Sequence, residues 1–125
     1  MGRIVKEIVV DKKKLMAVFD TGSERSYIIK DVIPSGSRCT EISPFEVGFG
    51  GKKHIIRKRC TIKGKIDNLD FDFSAHLIDT IGDIDRKKID VVIGATAMEE
   101  WDINPLPDGK KLDLRSLKKR EFVEL

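Results

Sequence analysis

Apolar positions recur along this chain in short runs separated by polar turns, and the spacing inside each run predicts its element. The segment RIVKEIVVD (3–11) alternates in part and is rich in Ile and Val, so it reads as a strand. KKLMAVFD (13–20) is more continuously apolar, the pattern of a central strand covered on both faces. Asp11-Lys12 between them marks a hairpin. SYII (26–29) follows a polar break, and Pro34-Ser35-Gly36-Ser37 carries a loop signal.

The next span, FEVGFGGKKHIIRKRCTIKGKI (45–66), has two β-rich arms interrupted by Gly48, Gly50 and Gly51. It predicts a hairpin with a mobile, glycine-rich tip. A turn near Asp67-Asn68 leads into an arm that alternates well. Leu69, Phe71, Phe73 and Ala75 fall on one side, and Asp70, Asp72, Ser74 and His76 on the other. IGDIDRKK (81–88) reads as a polar loop, and IDVVIG (89–94) as another continuously apolar strand. One helix is expected, ATAMEEWD (95–102), with Ala97, Met98 and Trp101 facing the core at helical spacing. A hairpin turned at Pro107-Asp108-Gly109 comes next, and the tail ends in the apolar positions Phe122, Val123 and Leu125. The class is all-β with one short helix, barrel-like or sandwich-like.

Composition narrows this picture. A chain of 125 residues fits a single domain, 1–125, with one real core. Apolar residues make up 40 % and charged residues 36 %, the balance of a soluble protein. No apolar run reaches the length of about 18 residues that a membrane span needs, and no membrane partner is expected. The N-terminus lacks the basic-then-apolar pattern of a signal peptide, so a cytoplasmic location is expected. The net charge of +3 is mild. Basic clusters at 12–14, 57–59 and 118–120 read as solvated faces. With only six Phe, one Tyr and one Trp available for stacking, nucleic acid is not the expected partner. Cys39 and Cys60 read as reduced thiols, with a single disulfide as the alternative. His54 and His76 have no Cys or His neighbours at ligand spacing, so no metal and no cofactor are expected.

The chemistry concentrates in LMAVFDTGSERSYII (15–29), where Asp20 ends a buried-looking strand. A carboxylate there is costly to desolvate unless it is hydrogen-bonded or shares a proton. Taken as a tripeptide, Asp20-Thr21-Gly22 reads as an Asx-type turn between two strands. The flanks add more. The order of elements is a hydrophobic strand, Asp20-Thr21-Gly22-Ser23, a glycine-tipped hairpin, then Val92-Ile93-Gly94 leading into the helix. This order resembles the retropepsin-like aspartic proteases, the single-lobe family of retroviral proteases and their cellular relatives. The resemblance spans roughly residues 3–114. Retroviral members carry Ala and an acidic residue after the loop Gly, and Arg after the second-motif Gly. Here Ser23-Glu24-Arg25 and Ala95 stand in those places, so the family's acid–arginine pair is lost or replaced by something local to Arg25.

The resemblance implies a single-lobe acid-protease barrel, active as a homodimer on peptide or protein substrates. Asp20 from each subunit would form the catalytic dyad, because the chain holds no second Asp-Thr/Ser-Gly. Thr21 would brace the paired loops and Gly22 would admit the substrate backbone. Val92, Ile93 and Gly94 would form the second structural motif. Gly48, Phe49, Gly50 and Gly51 would be the flap, and Ser23, Tyr27 and Phe49 would line pockets. The tail, 116–125, is a candidate interface strand. The alternative within this fold is a catalytically weak or silent module used for binding or dimerisation. A small nucleic-acid-binding barrel is the third reading.

Overall fold

Seven strands form one sheet that closes on itself. The computed structural model describes the backbone of residues 3–123 and the side chains of residues 3–120. Strands β1 (Arg3–Val10) and β2 (Lys13–Asp20) are followed by β3 (Ser26–Ile29) and a 3-10 turn, Lys30–Val32. Strands β4 (Arg38–Phe49), β5 (Lys52–Ile66) and β6 (Leu69–Ile78) then run as a meander. A small hairpin, β7 (Gly82–Ile84) and β8 (Lys87–Ile89), precedes β9 (Val91–Ile93) and helix α1 (Ala95–Trp101). The chain ends with a two-stranded clip, β10 (Asn104–Pro105) and β11 (Leu112–Asp113), and helix α2 (Arg115–Val123). The large sheet has the order β1-β2-β9-β3-β6-β5-β4, and β1 also pairs with β5 at Val9 and Lys65, which closes the barrel.

Four two-residue turns set the hairpin registers. Asp11-Lys12, Gly50-Gly51, Asp67-Asn68 and Asp85-Arg86 all hold both central residues at positive φ, between 49° and 78°. That left-handed pair matches the twist of the flanking strands. Asp85-Arg86 lacks the Gly or Asn that usually announces such a turn, so the segment expected as a polar loop is the β7–β8 hairpin instead.

The central strands β2, β9 and β3 are apolar on both faces because each feeds two clusters. Leu15, Ala17, Phe19, Ile28, Val91 and Ile93 point into the main core. Val18, Tyr27, Ile29 and Val92 point into a second cluster with Ile56, Ile78 and Ile89. Phe45, Val47 and Phe49 of β4 pack onto that second cluster, so the long hairpin roofs it. Along β6 the alternation holds as expected, with Leu69, Phe71, Phe73 and Ala75 buried. Each fully buried large aliphatic or aromatic side chain contributes roughly 1.5–3 kcal/mol.

Two expectations are corrected here. Cys39 and Cys60 are joined in a disulfide rather than held as free thiols. Counted from the Gly50-Gly51 tip, Cys39 would face Ile62, but an irregularity between Glu41 and Phe45 advances the pairing and sets it against Cys60. A cross-link spanning 21 positions restricts the unfolded chain and is worth on the order of 3 kcal/mol. The tail, expected as a strand, is helical over Arg115–Val123. Asp113 initiates it by accepting the Arg115 N–H at 3.1 Å, and Leu114 and Leu117 enter the main core. Spacing of three there suits a helix face, not a strand. Leu125 and the side chains of Phe122 and Val123 lie outside the described residues. Trp101 is half-buried as core packing, with its indole N–H donating to the Asp72 carbonyl at 2.6 Å and Arg120 stacked 4.4 Å from its ring.

If α2 closes the core, Leu117→Ala should lower unfolding free energy by about 2–5 kcal/mol in urea titration. Lys118→Ala, one residue on and exposed, should stay within about 0.5 kcal/mol of wild type. Equal effects at the two positions would exclude the packed helix.

Candidate functional site

Asp20 is the last residue of β2, and its neighbour Phe19 is fully buried in the main core. The strand is therefore anchored up to the residue before the carboxylate. Asp20 itself emerges, with its side chain 25 % exposed. The Gly22 N–H donates to Asp20 Oδ1 at 2.9 Å, and the Ser23 N–H donates to the Asp20 carbonyl at 3.1 Å. These bonds make a tight Asx-type turn that fixes the carboxylate's direction. Oδ2 stands 3.7 Å from Nε of Arg3, the residue opposite Asp20 in the β1–β2 register. Thr21 is exposed at the head of the turn.

The loop is held from behind by β9 and the start of α1. Val18 and Phe19 pair in parallel with Val92 and Ile93, so the two sequence motifs lie side by side. At Gly94 the backbones nearly touch. A Cβ there would lie 2.3 Å from the Arg25 carbonyl oxygen and 2.7 Å from that of Ser23. Only glycine fits this approach. The Gly94 N–H donates to buried Ser26 Oγ at 2.9 Å. The Ala95 and Thr96 N–H groups donate to the carbonyls of Ser23 (2.6 Å) and Glu24 (3.2 Å).

Two solved structures share this architecture. One is the retroviral protease-like domain of Ddi1 from Leishmania major, with TM-score 0.60 and 13 % identity, covering 90 % of this chain and 88 % of that one. The other is EIAV protease in complex with the inhibitor HBY-793, with TM-score 0.57 and 15 % identity, covering 90 % and 93 %. The fold is retropepsin-like. No family model matches the sequence, and no curated protein is similar to it. Within this retropepsin-like frame, the departures at Ser23-Glu24-Arg25 and Ala95 become clear. At these positions the loop and helix are tied by the two backbone bonds from Ala95 and Thr96.

Arg25 turns instead towards the long hairpin. Its guanidinium lies over the Phe45 ring at 4.4 Å, and its positive charge acts on the Tyr27 hydroxyl, whose pKa burial nevertheless raises. Tyr27 in turn meets Phe49 edge-on at 4.9 Å, so the hairpin tip rests on the strand that follows the Asp20 loop. Of the expected pocket residues, Tyr27 and Phe49 are brought together, while Ser23 spends its hydroxyl on the Arg25 carbonyl at 2.8 Å. Gly48 lies in β4, and Gly50-Gly51 form the turn itself. His76 packs edge-on against Phe45 at 5.2 Å. A cavity of about 240 Å³ opens between Glu24, Arg25, Arg59, Ser74, His76 and Glu100. Arg3, Arg25, Phe45 and His76 were not singled out as site residues by sequence, because their proximity depends on register across strands far apart in the chain.

Burial, then the positive charges of Arg25 and Arg59, hold His76 below the ordinary histidine value of 6.5. The unfolded chain therefore takes up this proton first, and His76 removes stability as pH falls below about 6.5. His76→Gln should flatten that part of the stability-against-pH curve in urea titrations. An unchanged slope would assign it to other groups. Gly94→Ala should cost about 2–4 kcal/mol through backbone displacement. Gly48→Ala, whose Cβ would find nothing nearer than 3.8 Å, should cost about 1 kcal/mol at most.

Proposed function

We propose that the chain is one half of a homodimeric aspartic endopeptidase. The observation that carries this reading is the Asp20 carboxylate, held by its own turn at the end of a core-anchored strand in a retropepsin-like fold. One chain supplies one such carboxylate, so the active species needs two. Two carboxylates in contact cannot both ionise and share one proton. The ionised member takes a proton from water as it attacks the peptide carbonyl, and the protonated member supports the developing oxyanion. Proton return to the amine completes the cleavage. Thr21 would brace the two loops across the two-fold axis. Substrate would lie as an added strand between the loops and the β4–β5 hairpins, whose tips exclude water.

A second reading is a silent module of the same fold. Arg3 favours it, because its guanidinium gives Asp20 a counter-charge that a second Asp20 would have to displace.

Both readings meet one experiment. A mixed peptide library is incubated with wild type and with Asp20→Asn, at acidic and neutral pH, alongside sedimentation analysis. The peptidase reading expects a dimer and cleavage that falls at least about a hundredfold in the variant. Identical cleavage patterns, or a monomer at every concentration, would sink it. A dimer that cleaves nothing would favour the silent module.

A further inference from the structure

Beside the Asp20 loop lies a group of cationic side chains that the peptidase reading leaves unused. Arg25 comes from the loop itself and Arg59 from β5, directly opposite His76 of β6. Phe45, Arg25, Arg59 and His76 surround or adjoin the 240 Å³ cavity. We infer that this cluster is an anionic-side-chain subsite, taking an Asp or Glu of the bound peptide about four residues from the scissile bond.

Placement comes from the hairpin. Phe49 at the tip and Phe45 share one face of β4, four residues apart, or about 13 Å at strand rise. An extended peptide lying along that hairpin has the same rise, so its fourth residue from the tip reaches Arg25. Two-fold symmetry would repeat the subsite at the other end. This step rests on the peptidase reading for the path of the peptide.

The ligand chemistry comes from how the arginines are held. Stacking on Phe45 holds Arg25 without consuming its charge. A guanidinium has five N–H donors in a fork that fits a carboxylate, so most remain for a ligand. Among the described residues, no carboxylate comes within ion-pair distance of Arg25 or Arg59. Glu24 and Glu100 also line the cavity, yet the charges felt at His76 are those of the two arginines.

The test uses peptide pairs that differ only by Glu or Gln at the fourth position on either side of a cleavable bond. The full-length wild-type dimer should prefer Glu by about tenfold in kcat/KM, the value of one charge-assisted bond. High salt should shrink the ratio. Arg25→Gln and, separately, Arg59→Gln should bring it towards one, and Arg25→Lys should restore part of it. Affinities of the same peptides for Asp20→Asn protein, by calorimetry, should show the same ratio. If no peptide is cleaved, the peptidase reading fails, while that binding ratio still decides the subsite. A ratio near one in wild type and Asp20→Asn, or a Glu preference that survives both Gln variants, overturns the inference.

Discussion

The backbone contact at Gly94 is the constraint on which the site depends. Strand β9 enters the middle of the sheet beside β2, and its exit must pass within van der Waals reach of the Ser23 and Arg25 carbonyls. Because no side chain intervenes, the N–H groups of Gly94, Ala95 and Thr96 can all reach the loop segment 23–26. Three hydrogen bonds then replace what would otherwise be solvent around a polar turn. The position of Asp20 is inherited from this: Phe19 pins it from the strand side, and the Gly94 junction pins the chain that follows.

The central strands serve two interiors at once, and this links the loop to the long hairpin. Tyr27 leaves the turn on the face opposite Ile28, into the cluster roofed by Phe45, Val47 and Phe49. The roof is apolar underneath and edged by Arg25, whose charge sits on an aromatic face instead of beside a carboxylate. A cation held in this way keeps its interaction with Phe45 without neutralisation. The site thus has one acidic centre at Asp20 and one basic edge at Arg25, five residues apart in sequence.

Much of this was legible in the sequence where local pattern and tertiary role agree. KKLMAVFD and IDVVIG are apolar on both faces because both faces are covered, and LDFDFSAHLI alternates because one face is not. Gly94 was readable from its place between an apolar strand and a helix. What failed were features set by register or by tertiary packing. Asp85-Arg86 turns like Gly50-Gly51 without the residues that signal it. The tail's Leu114 and Leu117 are one helical turn apart, but a tail this charged has a weak amphipathic signal, and the core it caps is not visible from its own residues. The pairing of Cys39 with Cys60 required the irregularity near Glu41, which no local motif announces.

That cross-link has a mechanical consequence for the long hairpin. Cys39 and Cys60 lock the two arms together at the root, on the far side of the irregularity from the tip. The arms cannot slide past one another or peel apart below that point. Between the lock and the Gly50-Gly51 turn, the regular pairing is interrupted from Glu41 to Phe45. The hairpin therefore combines a cross-linked base, an interrupted ladder above it and a tip that rests Phe49 on Tyr27.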